Sequence, residues 1–433
     1  MNQHISVGSP IARAPFPPER PTGSHGSCKS PAREDRQRRR PKVFLYSHDT
    51  YGLGHLRRNL AIAEHLLTRR APFSVRLLTG SPLTGAWDFP NGLDVTALEP
   101  VVKVGVETYK PRSSPLPFSL VKAYREALIL RTVMDEKPDI FLVDHAPAGM
   151  NGELLATLAY IRRALPGTKI ILGLRDILDS PEKVREIWDE QGIIPLLDIL
   201  YDQVLVYGSR ALFDVVEGYG VPANIAAKLS YCGYVSRPTA CREAATISAS
   251  PSVLVTAGGG EDGFFLMEAY LKALILLDDR TIRSRMVTGP LMSAPQRRTL
   301  DTLAAGDPNV EITCSTSDLP ALLDRADLVV AMGGYNTSVE IVASGKPAII
   351  VPRAAPRAEQ RMRAAMLTRL GLIWSLEPGP ELEISLARLI EGILGGSAKH
   401  PPRHALDLGG ASRVGEVFDG LLDGEFQELE LMK

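Results

Sequence analysis

The sequence predicts an α/β protein built from two doubly wound domains, each with a parallel β-sheet that helices cover on both faces. Three observations support this fold class. Strand-like apolar runs alternate with helical stretches, the alternation lapses once near residues 233–251, and glycine-rich loops join strands to helices in both halves. Because ligands bind beyond the carboxyl ends of the strands in such sheets, we expect the two domains to face each other across a central cleft.

The first series of elements predicts an N-terminal domain over residues 41–240. Short apolar runs that are typical of buried strands lie at Val43–Ser47, Ser74–Thr79, Asp139–Asp144, Lys169–Leu174 and Gln203–Tyr207. Apolar residues at helical spacing lie near 55–67, 118–134, 151–164, 181–190 and 209–218. At about 150 residues per domain, a length of 433 residues agrees with two or three domains.

The second series follows a short polar linker and predicts a C-terminal domain over residues 250–405. Its strands are expected at Ser252–Ala257, Arg285–Thr288, Val310–Cys314, Asp327–Met332 and Ala348–Val351. Its helices are expected near 262–277, 294–304, 318–325, 336–344 and 357–370. The stretch at about 382–425 is also expected to be helical, so that residues 406–433 form a C-terminal helical segment.

Residues 1–40 differ from the rest of the chain. They are rich in Pro, Ser and Arg and have no helix or strand period, which predicts a disordered basic tail. The run Arg36–Arg40 would suit acidic lipid or nucleic acid, but a solvated tail explains the same composition.

Composition argues against several classes of protein. The 49 Lys+Arg and 50 Asp+Glu give a net charge of -1, so overall charge would not capture nucleic acid. No apolar run is long enough for a transmembrane helix, and residues 1–30 lack the apolar segment of a secretory signal. The 4 cysteines form no C-x-x-C pair, which argues against a zinc cluster or disulfide framework and fits the cytoplasm.

Three glycine-rich loops lie between a predicted strand and a predicted helix. Glycine lets the backbone approach a ligand closely, and the amides that begin the following helix attract phosphate. Such loops at corresponding positions of two domains favour a ligand with a diphosphate. The loops contain Gly52 and Gly54, then Gly258, Gly259 and Gly260, and finally Gly333 and Gly334.

Two standard phosphate motifs can be compared with these loops. No G-x-x-x-x-G-K-[ST] occurs, which argues against a P-loop nucleotide hydrolase. Gly258, Gly260 and Gly263 match G-x-G-x-x-G, but the next strand ends at Val287–Pro290 without the acidic residue of a dinucleotide site. The dinucleotide interpretation is weakened without being removed.

The helix after the third loop carries the most specific pattern. Asn336 or Thr337 is placed to cap it, and Glu340 would lie about one turn in, at the ligand edge of the sheet. A carboxylate there accepts hydrogen bonds from both hydroxyls of a ribose, while the loop amides hold phosphate. The alternative is a solvated glutamate that the helix dipole favours.

Polar residues also follow the next strand. Arg357, with Arg353 before it, suits phosphate or a sugar carboxylate. Glu359 and Gln360 open a helix and suit the hydroxyls of a sugar. A capping glutamate on a charged helix face explains these two residues equally well.

A histidine begins the first predicted helix. The helix dipole disfavours an imidazolium at His55, so the ring is expected to be neutral near pH 7 and able to accept a proton, although a structural histidine explains it equally well. Contact with an anion would explain Arg57 and Arg58 in the same turn, although solvent exposure suffices for at least one of them. Asp144 and His145, at a strand end, are further candidates for a base.

No D-x-D pair occurs in the sequence, so the two carboxylates that often hold a divalent ion against a diphosphate are missing. We therefore expect no metal and no cofactor. Helix dipoles and arginines would stabilise a departing diphosphate instead.

These motifs resemble glycosyltransferase family 28. The run Gly333–Pro352, followed by Glu359 and Gln360, resembles the C-terminal domain of that family. Gly52–His55 is similar to its N-terminal glycine-rich loop, which also ends in histidine. The resemblance covers about residues 42–400 and extends to the peptidoglycan N-acetylglucosamine transferase and to bacterial proteins called predicted glycosyltransferases.

The resemblance implies a GT-B fold, a UDP-sugar donor and metal-independent transfer with inversion to an acceptor hydroxyl. It implies that Glu340 binds the ribose, that the glycines of the second and third loops hold the pyrophosphate, and that Glu359 and Gln360 meet the donor sugar. His55 would lie near the reacting centre. The expected partners are a nucleotide-sugar and an unidentified acceptor, with no nucleic acid.

Contact with the inner face of the membrane stays open. The segment Tyr109–Val121 either forms an apolar patch for a membrane-borne acceptor or is a Pro-rich loop near the cleft. Two other functions are also open. Residues 52–58 are similar to the UDP-sugar hydrolase of pseudaminic acid synthesis, in which water replaces the acceptor, and a non-catalytic nucleotide-sugar-binding protein would bind without turnover.

Overall fold

The structure is a computed structural model that describes residues 39–49, 54–82, 89–105, 108–236, 250–277, 281–316, 318–353, 357–398 and 405–424. All of them except Arg39 belong to one compact unit, Arg40–Lys433. The predicted tail, apart from its last two residues, lies outside the described residues. Gly52, most of the predicted linker and residues 425–433 lie outside them as well.

The first half of this unit forms a seven-stranded sheet and a separate two-stranded hairpin. Its strands are β1 (Lys42–Ser47), β2 (Ser74–Thr79), β3 (Leu93–Ala97), β4 (Val101–Gly105), β5 (Thr108–Pro111), β6 (Ile140–Asp144), β7 (Lys169–Arg175), β8 (Gln203–Tyr207) and β9 (Leu229–Tyr231). Its helices are α1 (Gly54–Thr68), α2 (Phe118–Glu136), α3 (Leu155–Ala164), α4 (Pro181–Glu190), α5 (Ile193–Leu200), α6 (Val215–Tyr219) and α7 (Ala223–Ala226).

The strand order of this sheet creates a crevice at its carboxyl edge. The order is β3-β2-β1-β6-β7-β8-β9, and all neighbours run parallel. It reverses between β1 and β6, which pair from Val43 with Ile140 to Tyr46 with Val143. The connections that leave β1 and β6 therefore diverge at the carboxyl edge of the sheet, where ligands bind in doubly wound folds.

The second half repeats this plan. Its strands are β10 (Ser252–Thr256), β11 (Arg283–Val287), β12 (Val310–Thr313), β13 (Leu328–Ala331), β14 (Ala348–Ile350) and β15 (Trp374–Ser375), in the parallel order β12-β11-β10-β13-β14-β15. Its helices are α8 (Phe264–Leu276), α9 (Ala294–Ala304), α10 (Leu319–Arg325), α11 (Tyr335–Ser344), α12 (Glu359–Arg369), α13 (Leu382–Leu394) and α14 (Gly410–Asp423). The order reverses between β10 and β13, so the prediction of two doubly wound sheets is confirmed.

Two predicted helices of the first half begin later than expected. The helix predicted at 209–218 begins only at Val215, because the side chain of Asp214 accepts the backbone hydrogen bonds that cap it. The helix predicted at 151–164 begins at Leu155, since a 3₁₀ turn with a left-handed Asn151 precedes it. The sequence analysis did not predict the edge strands β3, β9 and β15, the hairpin β4–β5, or helices α5 and α7.

The predicted helix at 382–425 is two helices, and the second one returns to the first half of the chain. Helix α14 packs on α1, where Arg69 donates a hydrogen bond to the carbonyl of Gly415 at 3.1 Å and pairs with Asp419. The ring of Phe418 is buried and meets that of Phe73 edge-on, with 6.2 Å between centroids. The chain end therefore ties the two halves together.

Buried side chains fix the position of one sheet relative to the other. One apolar cluster contains Leu56 from the first half and Ile350 from the second. The hydroxyl of Tyr335 donates to the carbonyl of Tyr207 at 3.0 Å and accepts from the amide of Val235 at 3.1 Å. In the part of the chain that the structure describes, no helix combines the length and the apolar character needed to cross a bilayer.

Candidate functional site

The first turns of α1 and α11 meet where the carboxyl edges of the two sheets approach each other. Asn336 donates a hydrogen bond from Nδ2 to the carbonyl of Gly54 at 2.7 Å. One turn further along, Arg57 forms an ion pair with Glu340, and these side chains are 14% and 9% exposed. Two helix N-termini thus lie at one place, where their amides and positive dipole ends favour an anionic ligand.

His55 is held by a buried carboxylate. Its Nδ1 lies 2.6 Å from Oδ2 of Asp144, which is 1% exposed at the end of β6. Arg58 donates to Oδ1 of Asp144 from Nε at 3.1 Å and from Nη2 at 2.8 Å. Because both carboxylate oxygens are engaged, the geometry favours Asp144 as the group that orients His55 over the alternative of Asp144 as a base.

The charge of Asp144 decides the proton position on His55. Burial by itself raises the pKa of Asp144, but Arg58 and His55 outweigh burial and lower it to about 2. The carboxylate is therefore ionised and only accepts hydrogen bonds, so Nδ1 of His55 carries the hydrogen between them. The other ring nitrogen, Nε2, is left to accept a proton from a bound group.

We expect the His55 imidazole to titrate below its ordinary pKa of 6.5. Burial lowers this pKa and the Asp144 carboxylate partly restores it, so the ring is neutral at pH 7. Nuclear magnetic resonance of the histidine ring protons, assigned with His55→Gln, measures the midpoint. Asp144→Asn should lower the midpoint further, and a wild-type midpoint above 6.5 would contradict this picture.

Two further histidines surround His55. The ring centroids of His48 and His145 lie 5.7 and 5.1 Å from that of His55. Burial lowers the pKa of both well below the ordinary value, which keeps them uncharged. His145 has a φ of 72°, a left-handed backbone that is typical of functional sites when the residue is not glycine. The sequence analysis missed His48, although its position directly after β1 was the available signal.

Arg58 is buried, which bears on the alternative that solvent exposure explains at least one of the two arginines. Its side chain is 2% exposed, and its guanidinium lies 5.4 and 5.5 Å from the ring centroids of Tyr207 and Tyr335. The cation therefore contacts both halves of the chain through aromatic faces. Since Arg57 pairs with Glu340, the explanation by solvent exposure is wrong for both arginines.

The loops after β10 and β13 bring backbone to the carboxyl edge of the second sheet. Gly258–Gly260 follow β10, and a Cβ at Gly260 would lie 2.2 Å from the carbonyl oxygen of Thr288 at a φ of 91°. Gly333 and Gly334 follow β13, and a Cβ at Gly334 would meet nothing within 4 Å. The segment beside the start of α11 is thus open to a ligand.

The predicted side-chain cap of α11 is wrong. Gly334 occupies the capping position, and no side chain there accepts a hydrogen bond from the helix. Asn336 reaches across to Gly54 instead, and Thr337 is buried beside the loop after β10, with Oγ1 3.5 Å from a Cβ built on Gly258. The first amides of α11 therefore remain available for phosphate.

The alternative interpretations of three acidic and polar residues are also wrong. Glu340 is ion-paired and 9% exposed, which rules out a solvated glutamate. Glu359 and Gln360 are 4% and 6% exposed, so they are not part of a solvated helix face, and neither side chain caps α12. Arg353 donates to Oε1 of Glu359 at 2.5 Å and to Asp262 at 2.7 Å. Oε2 of Glu359 is buried without a partner among the described residues, and a sugar hydroxyl would satisfy it.

The first glycine-rich loop is seen only from Gly54 onward, because Gly52 lies outside the described residues. Arg357 lies beyond a further gap at 354–356 and is close enough to His145 to lower the pKa of that ring. Within the described residues, no group of three or more His, Cys, Asp or Glu is arranged to hold a metal ion.

Comparisons of sequence include a match to the second half of the chain, which contains the loops after β10 and β13. Residues 252–399 match the model of the glycosyltransferase family 28 C-terminal domain. The chain is 29% identical over 230 residues to a UDP-N-acetylglucosamine--N-acetylmuramyl-(pentapeptide) pyrophosphoryl-undecaprenol N-acetylglucosamine transferase of Mesorhizobium japonicum. That match covers 50% of this chain and only 60% of the relative.

Comparisons of structure cover nearly the whole chain. MurG of Acinetobacter baumannii is similar with a TM-score of 0.55 at 15% identity, over 88% of this chain and 99% of MurG. A UDP-N-acetylglucosamine 2-epimerase of Listeria monocytogenes, described as putative, has a TM-score of 0.60 at 12% identity, over 89% and 97% of the two chains. At these identities the likeness shows a shared fold alone. The chain therefore has the GT-B fold, and its residues 252–399 match the glycosyltransferase family 28 C-terminal domain.

Proposed function

We propose that the protein is a glycosyltransferase that moves a sugar from a UDP-sugar to an acceptor hydroxyl, without a metal and with inversion at the anomeric carbon. The observation that carries the proposal is the His55–Asp144 pair, with 2.6 Å between its atoms, next to the Arg57–Glu340 contact between the two halves. In this proposal the base and the nucleotide site share one cleft. UDP-N-acetylglucosamine, which the name of the Mesorhizobium relative contains, is the first donor to test.

In this mechanism His55 is the general base. Nε2 takes the proton of the acceptor hydroxyl as its oxygen attacks the anomeric carbon and the bond to the β-phosphate oxygen breaks. The positive charge that forms on the ring is stabilised by Asp144, which is already ionised. Asp144 also fixes the ring orientation, so that no reorganisation is needed at the moment of reaction.

The leaving UDP takes the electron pair of the broken bond and needs positive potential. The open amides at the start of α11 and the backbone of the loops after β10 and β13 supply it. These groups would replace a divalent cation. Glu359 and Gln360 would hold hydroxyls of the donor sugar, since both are buried and Oε2 of Glu359 has no partner among the described residues.

Donor binding would exchange the partner of Glu340. This carboxylate now accepts from Nη2 of Arg57, and in the proposed complex it accepts from the two ribose hydroxyls. Arg57 would then be released toward the diphosphate, which would lie near the first turn of α1 in the proposed complex. The ion pair with Arg57 thus compensates the charge of a buried carboxylate.

Hydrolysis of the UDP-sugar is the second candidate, because a base beside the donor sugar also activates water. The direct test is release of UDP from UDP-N-acetylglucosamine without any acceptor. Turnover that needs an added acceptor supports transfer, whereas equal turnover in water alone supports hydrolysis. Tight nucleotide-sugar binding with no turnover under either condition would support a binding protein instead.

We further propose that the acceptor is presented at a membrane surface. Leu116, Leu120 and Tyr124 are 52%, 56% and 62% exposed at the start of α2, beside the exposed Lys110 and Arg112. An apolar patch with a basic rim suits an anionic bilayer. The segment predicted as either a patch or a Pro-rich loop thus contains strand β5 and the beginning of α2, and its exposed side chains favour the patch.

Wild-type protein is expected to sediment with vesicles of equal parts phosphatidylglycerol and phosphatidylcholine. The double variant Leu120→Asp with Tyr124→Asp should lower the bound fraction by about tenfold or more. The reason is that each apolar side chain that enters the bilayer contributes about 1.5–3 kcal/mol to membrane binding. The control is Ile199→Asp, which changes an apolar residue on α5 that is 72% exposed. Equal sedimentation of all three proteins would contradict the membrane proposal.

A further inference from the structure

A guanidinium that has no carboxylate partner among the described residues lies at the end of β7, on the acceptor side of the cleft. β7 ends at Arg175, and its register pairs Gly173 with Asp144 and Arg175 with Tyr207. Arg175 thus lies at the same sheet edge as the base pair His55–Asp144. Nε of Arg175 is buried and has no hydrogen-bond partner, and its guanidinium forms no ion pair with any described residue.

The neighbours of Arg175 leave its charge uncompensated. Arg58 is already ion-paired with Asp144, and Glu359 already accepts a hydrogen bond from Arg353. Arg363 donates to the carbonyls of Gly333 and Ile177 at 3.0 and 3.3 Å, so it brings further positive charge without a carboxylate. Arg175 is partly buried, and its Nε is fully buried. Because enclosed cationic groups are normally paired, this guanidinium is suited to binding an anion.

Two more groups, His145 and Arg357, lie close enough to Arg175 to interact with it electrostatically. Nδ1 of His145 is buried without a partner among the described residues, and the left-handed backbone of His145 fixes the ring 5.1 Å from that of His55. Arg357 approaches from the start of α12. Burial and then the Arg58, Arg363 and Arg357 cations lower the pKa of Arg175 to about 10, whereas Glu359 raises it. At neutral pH the guanidinium therefore remains charged.

We propose that Arg175, with His145 and Arg357, binds an anionic group, phosphate or carboxylate, that the acceptor carries close to its reacting hydroxyl. Arg175 would be the charged anchor and would select acceptors that carry this group, since its planar guanidinium pairs with two oxygens at once. The anchor of this site differs from the proposed nucleotide loops, because Arg175 ends a strand of the first sheet and those loops follow strands of the second. Its assignment to an acceptor rests on the proposed function.

The test is isothermal titration calorimetry of the full chain, first with UDP and then with inorganic phosphate or acetate on protein saturated with UDP. Saturation fills the nucleotide site, so any remaining anion binding belongs elsewhere. We expect phosphate or acetate to bind the wild type, and the stronger of the two identifies the class of acceptor group. Arg175→Gln should weaken this binding tenfold or more and change UDP affinity less than twofold.

Two control variants keep the test decisive. Arg175→Lys retains the charge and should retain part of the anion affinity, while Arg131→Gln removes an exposed arginine of α2 and should change nothing. Thermal unfolding verifies that each variant is folded. Anion affinity that is unchanged in folded Arg175→Gln, or absent from the UDP-bound wild type, would overturn the proposal.

The failure of this proposal differs from the failure of the proposed function. If Arg175→Gln weakens UDP and phosphate equally, the guanidinium belongs to the nucleotide site and the acceptor subsite is refuted. If UDP does not bind at all, phosphate is titrated into the free protein. Loss of phosphate binding in Arg175→Gln would then still support an anion site at Arg175, although the proposed transferase function would be refuted.

Discussion

Replacing His55 by alanine is expected to lower turnover of the UDP-sugar by about 10²–10⁴-fold, the usual contribution of a general base. UDP binding should remain, because the nucleotide loops and Glu340 belong to the other half of the chain. The reason for the loss is geometric as well as chemical, since Asp144 holds Nδ1 of His55 at 2.6 Å and leaves only Nε2 for the acceptor proton. Steady-state kinetics with calorimetric UDP titration separates the two effects.

Asp144→Asn is the matched control for the role of the carboxylate. The amide keeps the size of the side chain but can itself donate a hydrogen bond to Nδ1 of His55. The ring hydrogen can then lie on Nε2, which no longer accepts the acceptor proton, so turnover should fall while the protein still binds UDP. Full turnover by a folded His55→Ala protein would remove His55 from the mechanism. Full turnover by Asp144→Asn would remove only the orienting role of Asp144.

The second large effect is a loss of stability, which we expect when the buried ion pair of Arg125 and Glu153 is broken. Arg125 donates from Nε and Nη2 to Glu153 at 2.6 Å each, and the side chains are 2% and 0% exposed. The hydroxyl of Tyr46 donates to the same carboxylate at 2.6 Å and accepts from the amide of Met150 at 3.0 Å. This network holds the turn that follows the Asp144 strand.

Arg125→Met is expected to lower the free energy of unfolding by about 3–5 kcal/mol, because it leaves the Glu153 carboxylate buried without its cation. Chemical denaturation measures the change. The double variant Arg125→Met with Glu153→Gln should recover much of the loss, since it removes both charges. A single variant as stable as the wild type, or a double variant no better than the single, would contradict this interpretation.

Local sequence patterns were sufficient to predict most of the fold. Buried parallel strands produce continuous apolar runs, so Ser74–Thr79 and Gln203–Tyr207 have the predicted ends. Helices α4 and α9 also have the predicted ends, since Ser180 and Ser293 cap them and a proline lies in each first turn. Edge strands such as β15, with two residues, are too short to produce a pattern.

The sequence predicted which residues belong to the candidate site, but it did not predict the contacts between them. Glycine loops at strand ends and a histidine at a helix start are local signals, and they placed His55 and Glu340 at the correct elements. The ion pair between Arg57 and Glu340 joins residues 283 positions apart, and no spacing rule predicts such a pair. For the same reason the burial of Arg58 between Tyr207 and Tyr335 had no signal in the sequence.

The central claim is that Glu340 and the second sheet bind a UDP-sugar. A thermal-shift panel of UDP-, dTDP-, GDP- and ADP-sugars on wild type, Glu340→Ala and Glu311→Ala tests it most directly, the last being a control at an exposed glutamate that is 56% exposed. A ligand at a hundred times its Kd adds ~2.7 kcal/mol to stability. We predict that UDP-sugars stabilise the wild type and Glu311→Ala and fail to stabilise Glu340→Ala. A folded wild type that no UDP-sugar stabilises, or a Glu340→Ala protein stabilised to the same extent, would contradict the account.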